Sequence, residues 1–174
     1  MSTKTLSNEF MQNIATEEAW KELSCGFNWD EILLEKYQDK VNWNEISGNI
    51  EICWTIPMLQ KFQKKINWDI LSEQINAEAL TESTIEAFKN QWNWHKLPCN
   101  WHLKITPELL EKYADRWDWE QIIDHCSDKL YEDRGIDFYE RYKDYIPASK
   151  LQNTRLWDDI VSQRKNQLIE IITS

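Results

Sequence analysis

Apolar and polar positions along this chain repeat as a unit rather than scattering. A tryptophan returns about every 25 residues, at Trp43, Trp68, Trp94 and Trp119, each directly preceded by Asn42, Asn67, Asn93 or Asp118. Three residues after each stands Ile46, Leu71, Leu97 or Ile122, and six before each an aromatic: Tyr37, Phe62, Phe88 or Tyr113. Seven residues before that aromatic lies Asp30, Thr55, Thr81 or Thr106, side chains whose oxygen can accept an orphan backbone N–H of a first helical turn. Pro107, directly after Thr106, suits a first helical position, where a missing N–H costs nothing. The apolar residue before each cap (Trp29, Trp54, Leu80, Ile105) pairs with one four residues after it (Leu34, Leu59, Ile85, Leu110), the spacing of a hydrophobic staple.

The pattern predicts two helices per unit. The first starts at the cap and runs roughly three turns, with one apolar stripe such as Met58, Leu59, Phe62 and Ile66. The second is shorter, starts at the tryptophan, and ends near Ser47, Ser72, Pro98 or Ile123. Asn42 followed by Glu45 has the spacing of a capping box. A hairpin this small cannot bury its aromatic face alone; stacked neighbours bury it for each other. The expected fold is therefore all-α, a short α-solenoid of tandem helical-hairpin repeats forming a single domain over residues 1–174.

The ends depart from the pattern, as terminal repeats do. Residues 1–27 read as an N-terminal cap in which Thr16, Trp20, Leu23 and Ser24 form the second half of a degenerate unit. About five repeats fill 28–151. In the last, Tyr142 and Leu151 keep their slots, but Ala148 replaces the tryptophan. Residues 124–136 carry an insertion in which Gly135 marks a turn. From 152 to 174 the pattern becomes one longer helix, with Leu156, Trp157, Ile160, Val161, Leu168 and Ile172 apolar, read as a C-terminal cap over the last hydrophobic face.

The run Ile105-Thr106-Pro107-Glu108-Leu109, then Lys112-Tyr113, then Trp117-Asp118-Trp119, resembles tandem Trp-rich repeats of uncharacterised bacterial and giant-virus proteins. Ile46-Ser47-Gly48-Asn49 resembles the closing element of those units, and Leu71-Ser72-Glu73-Gln74 does so with Gln for Asn. The resemblance covers residues 28–125 and implies an array, with no catalytic residue to carry over.

Three glycines and four prolines in 174 residues agree with helices over a turn-rich β protein. No apolar run approaches 18 residues, and Met1 to Phe10 lack the basic and apolar regions of a signal peptide, so the expected location is cytoplasmic, with no membrane partner. The four cysteines fall in different repeats without paired spacing and read as free thiols. Cys99, His102, His125 and Cys126 include a Cys-x-x-His half-site, but His125 stands in the slot of Asn49, Gln74 and Asn100, and Cys126 in that of Ile50, Ile75 and Trp101. A hydrogen-bonding and an apolar role are expected there, not a metal. No Gly-x-Ser-x-Gly occurs, and the isolated glycines build no phosphate loop. The chain reads as no enzyme and needs no cofactor. Most of its 11 tryptophans share slots with Ile, Val or Leu and are assigned to the core.

Charge is the feature folding explains least. The net charge is -10, which disfavours nucleic acid as a partner. Residues 28–52 hold two bases against six acids and residues 105–129 three against seven, whereas 53–104 hold six against five. Glu35, Gln60, Glu86 and Glu111 share one slot of the first helix; Asp39, Lys64, Asn90 and Asp115 share another. Equivalent slots form rows on a stacked array. Glu35, Asp39, Glu86, Glu111 and Asp115 are accordingly the candidate partner-binding residues, against a solvated face that only confers solubility. The expected function is a non-enzymatic protein-binding module, an acidic inhibitor or immunity-type protein neutralising a basic protein. The alternative is a scaffold self-associating through its repeat ends.

Overall fold

A computed structural model describes residues 8–124, 130–132 and 134–174. Among these residues the chain is all-helical, with ten α-helices, two 3-10 helices and no strand. They belong to two compact units, Met1–Asn93 and Trp94–Ser174.

The first unit contains α1 (Glu9–Gly26), α2 (Glu31–Tyr37), α3 (Trp43–Gly48), α4 (Ile56–Phe62), α5 (Trp68–Gln74) and α6 (Glu82–Ala87). Asp30, Thr55 and Thr81 each cap a helix by accepting the backbone N–H of Leu33, Met58 or Thr84. Such caps contribute about 1 kcal/mol each. Asn42 and Asn67 cap α3 and α5, so those helices begin at Trp43 and Trp68 as the pattern predicts. Leu34, Ile46, Leu59 and Leu71 are fully buried between the helices.

Two local expectations are corrected. The first helix of a unit has two turns, not three, because the indole of the next helix terminates it: Trp43 Nε1 donates to Gln38 O (2.9 Å) and Trp68 Nε1 to Gln63 O (3.0 Å). Those carbonyls lie just past the last helical residue, and the chain turns there instead of continuing. The capping box at Asn42 is half formed. Its Oδ1 accepts from Asn44 and Glu45, but its own N–H donates to Ser24 Oγ (2.9 Å) rather than to Glu45.

The second unit contains a 3-10 helix (Leu97–Cys99), α7 (Pro107–Lys112), α8 (Trp119–Ile123), α9 (Gly135–Tyr142), a second 3-10 helix (Ala148–Lys150) and α10 (Arg155–Thr173). Thr106 and Asp118 cap α7 and α8. The α-helix expected to start at Trp94 is absent, replaced by the short 3-10 turn. Pro98 has no N–H to give the carbonyl of residue 94, so an α-helix cannot run through it. Asn153 sits at φ 69°, a left-handed bend that Asn tolerates, and leads into Thr154, the cap of α10.

Gly135 starts α9 rather than forming a turn. A Cβ there would lie 2.5 Å from Asp159 Oδ2 and 3.1 Å from Ile160 N, so only glycine lets α9 meet α10 this closely. Arg134, the residue before α9, makes no capping bond. Instead Gly135 N–H donates to Asp159 Oδ2 (2.6 Å) and Ile136 N–H to Gln163 Oε1 (3.1 Å). Side chains of α10 thus satisfy the open donors of α9, and the carboxylate faces the positive end of that helix.

Candidate interaction surface

Three sets of contacts join one repeat to the next, and all recur at equivalent slots. The first is aromatic. Trp20 meets Tyr37, Trp43 meets Phe62, Trp68 meets Phe88, Trp94 meets Tyr113 and Trp119 meets Tyr142, with ring centroids 5.5, 5.3, 5.2, 4.9 and 5.3 Å apart. Their planes are all tilted by 34–44°. Such pairs add about 0.5–1.5 kcal/mol beyond their buried area. Lys65 lies over Trp43, Arg116 over Trp94, and Tyr145 stacks on Trp119.

The second set is a serine relay. Ser24, Ser47 and Ser72 are buried, and each hydroxyl donates to a carbonyl one turn back, at Trp20, Trp43 and Trp68 (2.6 Å each). Each also accepts the backbone N–H of Asn42, Asn67 or Asn93 in the next repeat (2.9, 2.9 and 3.0 Å). In the second unit Pro98 takes this slot, and Asp118 N–H reaches the Trp94 carbonyl directly at 3.4 Å.

The third set is polar and lies at the surface: Asn67 Nδ2 to Asn44 Oδ1 (2.8 Å), Asn93 Nδ2 to Asp69 Oδ1 (2.7 Å), and His95 Nδ1 with Asp118 Oδ2. Beneath it, Asn49 Nδ2 donates to both Ser24 O and Phe27 O (2.8 Å each). Gln74 shares that slot in sequence, but Asn76 does the work, donating to Ile50 O and Ile52 O (3.2 and 3.0 Å).

The candidate acids lie at the surface, and most already hold a cation. Lys61 binds Glu35 (2.7 Å) and Glu31 (3.0 Å), and Lys65 binds Asp39 (3.1 Å). Glu86 pairs with Lys89 on its own repeat (2.7 Å). In the second unit Glu111 pairs with Arg141, and Asp115 is exposed. The acidic slot therefore works as a ladder in which Glu35 and Glu111 each grip a base of the following repeat. Hydrogen bonds donated to the carboxylates of Glu35 and Glu31 raise the pKa of Lys61, and one donated to Glu111 raises that of Arg141.

Cys99 Sγ lies 3.4 Å from Gln121 Oε1, and the His102 ring lies tilted beside Trp101, centroids 5.1 Å apart. His125 and Cys126 fall outside the described residues. Among the described residues no group of three His, Cys, Asp or Glu stands together to hold a metal ion, and no helix is long and apolar enough to cross a membrane. The slot assigned to Cys126 is not uniformly buried: Ile75 is, but Ile50 and Trp101 are exposed, Trp101 by 86%. Trp101 is thus one tryptophan that core packing does not explain.

Sequence reasoning missed the apolar residues of α1 and read Val161, Leu168 and Ile172 as covering the last hydrophobic face, whereas they are exposed. In α1, Phe10, Met11 and Ile14 are exposed; in α10, Val161, Leu168, Ile169, Ile171 and Ile172 are. Only Leu156 of α10 is buried, so the helix covers a hydrophobic face with its first turns and exposes its own beyond them. A cleft of about 630 Å³ runs beside α1, lined by Glu17, Trp20, Lys21, Asp39 and Lys40 among others. Compared with known proteins, the chain matches no family model, no curated protein and no solved structure.

Proposed function

We propose that this chain is a short α-solenoid of about five helical-hairpin repeats that acts as a non-enzymatic protein-binding module. The observation that carries this reading is the recurrence, repeat after repeat, of the same tryptophan-to-aromatic and serine-to-backbone contacts. A stacked array offers an extended surface, and binding is what such surfaces do. The partner that suits a net charge of -10 is a basic protein, as for an inhibitor or immunity-type protein.

Glu35, Asp39 and Glu86 in the first unit, and Glu111 and Asp115 in the second, are the residues assigned to that partner. Pairing with Lys61, Lys65, Lys89 and Arg141 supports cation binding but sets a condition: incoming lysines or arginines exchange with resident ones. The test is capture of partners from native extract at low and high salt, with wild type and with Glu35→Lys, Glu111→Lys and Asp115→Lys combined. A basic protein retained at low salt and lost with the triple variant is expected. Equal retention by both removes these acids as the binding residues.

A second reading, a scaffold that associates through its repeat ends, is favoured by a separate observation, the exposed apolar residues of α1 and α10.

A further inference from the structure

We infer that α10 of one copy docks along α1 of a second copy, a head-to-tail contact that deepens the scaffold reading and rests on it. The two helices share an anomaly. α3, α5 and α8 each begin at the repeat tryptophan, whereas α1 begins at Glu9, eleven residues upstream of Trp20 in the same slot. Every residue from Glu9 to Ala19 is exposed, including Phe10 at 69%. α10 mirrors this at its other end, where every residue from Arg164 to Thr173 is exposed, including Ile171 at 67% and Ile172 at 80%. A helical stretch shorter than about 12–15 residues is marginal without packing, and apolar residues grouped on it mark a surface meant to be covered.

Charge selects the occupant. α1 carries four acids, Glu9, Glu17, Glu18 and Glu22, against Lys21 alone. The exposed part of α10 carries Arg164 and Lys165 against Glu170, a basic stretch in a strongly acidic chain. Pairing α1 with itself would oppose four acids to four. Pairing α10 with itself would leave Phe10, Met11 and Ile14 uncovered. One contact between α10 and α1 covers both apolar faces and sets Arg164 and Lys165 against Glu17 and Glu18. The cleft beside α1, lined by Trp20, Glu17, Glu18 and Asp39 together with Lys21 and Lys40, gives the incoming helix a groove.

Sedimentation velocity on the full chain tests this, using wild type, an α1 variant (Phe10→Glu with Ile14→Glu) and an α10 variant (Ile171→Glu with Ile172→Glu). All four positions are exposed, so the fold is expected to persist, with far-UV ellipticity as the check. Wild type should associate from micromolar to millimolar concentration, less so in high salt. Each variant alone should associate about tenfold more weakly or not at all. An equimolar mixture of the two should restore a species about twice the 21.1 kDa monomer, since one copy keeps α1 and the other keeps α10. If the α1 variant alone associates like wild type, α10 pairs with itself; if neither variant associates and their mixture gives no such species, the two faces do not complement each other. Either result overturns the α10–α1 contact while self-association of wild type stands. A wild type that stays monomeric throughout overturns both.

Discussion

The same slot is filled by serine in the first unit and by Pro98 and Ile123 in the second, and the two units solve the same hydrogen-bonding problem differently. Ser47 and Ser72 stand between a tryptophan carbonyl and the next repeat's N–H, bonding both. Where Pro98 stands, no hydroxyl intervenes, and Asp118 N–H bonds the Trp94 carbonyl itself. Where Ile123 stands, the residue in the donor slot of the next repeat is Pro147, which has no N–H to satisfy, and a fully buried apolar side chain suffices. The lesson is that the repeat holds constant the satisfaction of a backbone donor, not the residue that does it. A buried N–H left without a partner costs about 1–3 kcal/mol, so a replacement facing an N–H must leave another acceptor for it, as opposite Asp118, whereas opposite Pro147 none is needed.

Deleting a repeat tryptophan breaks this comparison most severely. Trp119→Ala removes a buried ring covered by both Tyr142 and Tyr145, and should cost about 3–5 kcal/mol in urea unfolding. Trp68→Ala, from a ring only half buried, should cost less. Equal losses would mean that aromatic packing does not distinguish the units.

Ser72→Ala comes next. It removes the acceptor of the Asn93 N–H at a part-buried site and should cost about 1–2 kcal/mol, read from the same unfolding curves. A neutral outcome would show that the backbone closes to the Trp68 carbonyl as it does at Trp94.

The smallest effect has the opposite sign. The Tyr142 hydroxyl is buried without a hydrogen-bond partner among the described residues, so Tyr142→Phe should stabilise by about 1 kcal/mol. Burial raises the pKa of Tyr142, and the Glu35 and Glu31 hydrogen bonds raise that of Lys61. For both groups the folded chain keeps its proton where the unfolded chain releases it. Their contribution is therefore fully present below the ordinary values near 10 and is lost as pH rises past them. Thermal stability should fall above about pH 10, and less steeply in Tyr142→Phe, because Phe has no proton to release.

The parts legible in the sequence were those set by local chemistry. Asp30, Thr55, Thr81 and Thr106 cap helices because a cap needs only its own next three residues. Asn42, Asn67 and Asp118 follow the same logic. What the spacing did not reveal depends on a neighbour. Ser47 marks the end of a helix in sequence, but its acceptor role exists only once Asn67 is stacked against it. The ion pairs of Glu35 and Glu111 were hidden for the same reason, since Lys61 and Arg141 lie a repeat away. Phe10, Met11 and Ile14 have no repeat counterpart, so nothing in the pattern set the length of α1.

The serine relay also makes three amides into clocks. The N–H of Asn42, Asn67 and Asn93 each bonds a hydroxyl belonging to the preceding repeat, so none can exchange with solvent deuterium until that neighbour separates. If the unit opens repeat by repeat, the three exchange in order from the end that frays first; if it opens at once, they share a single rate. Three equivalent positions in one chain would thereby report how far cooperativity extends along it, independently of any binding partner.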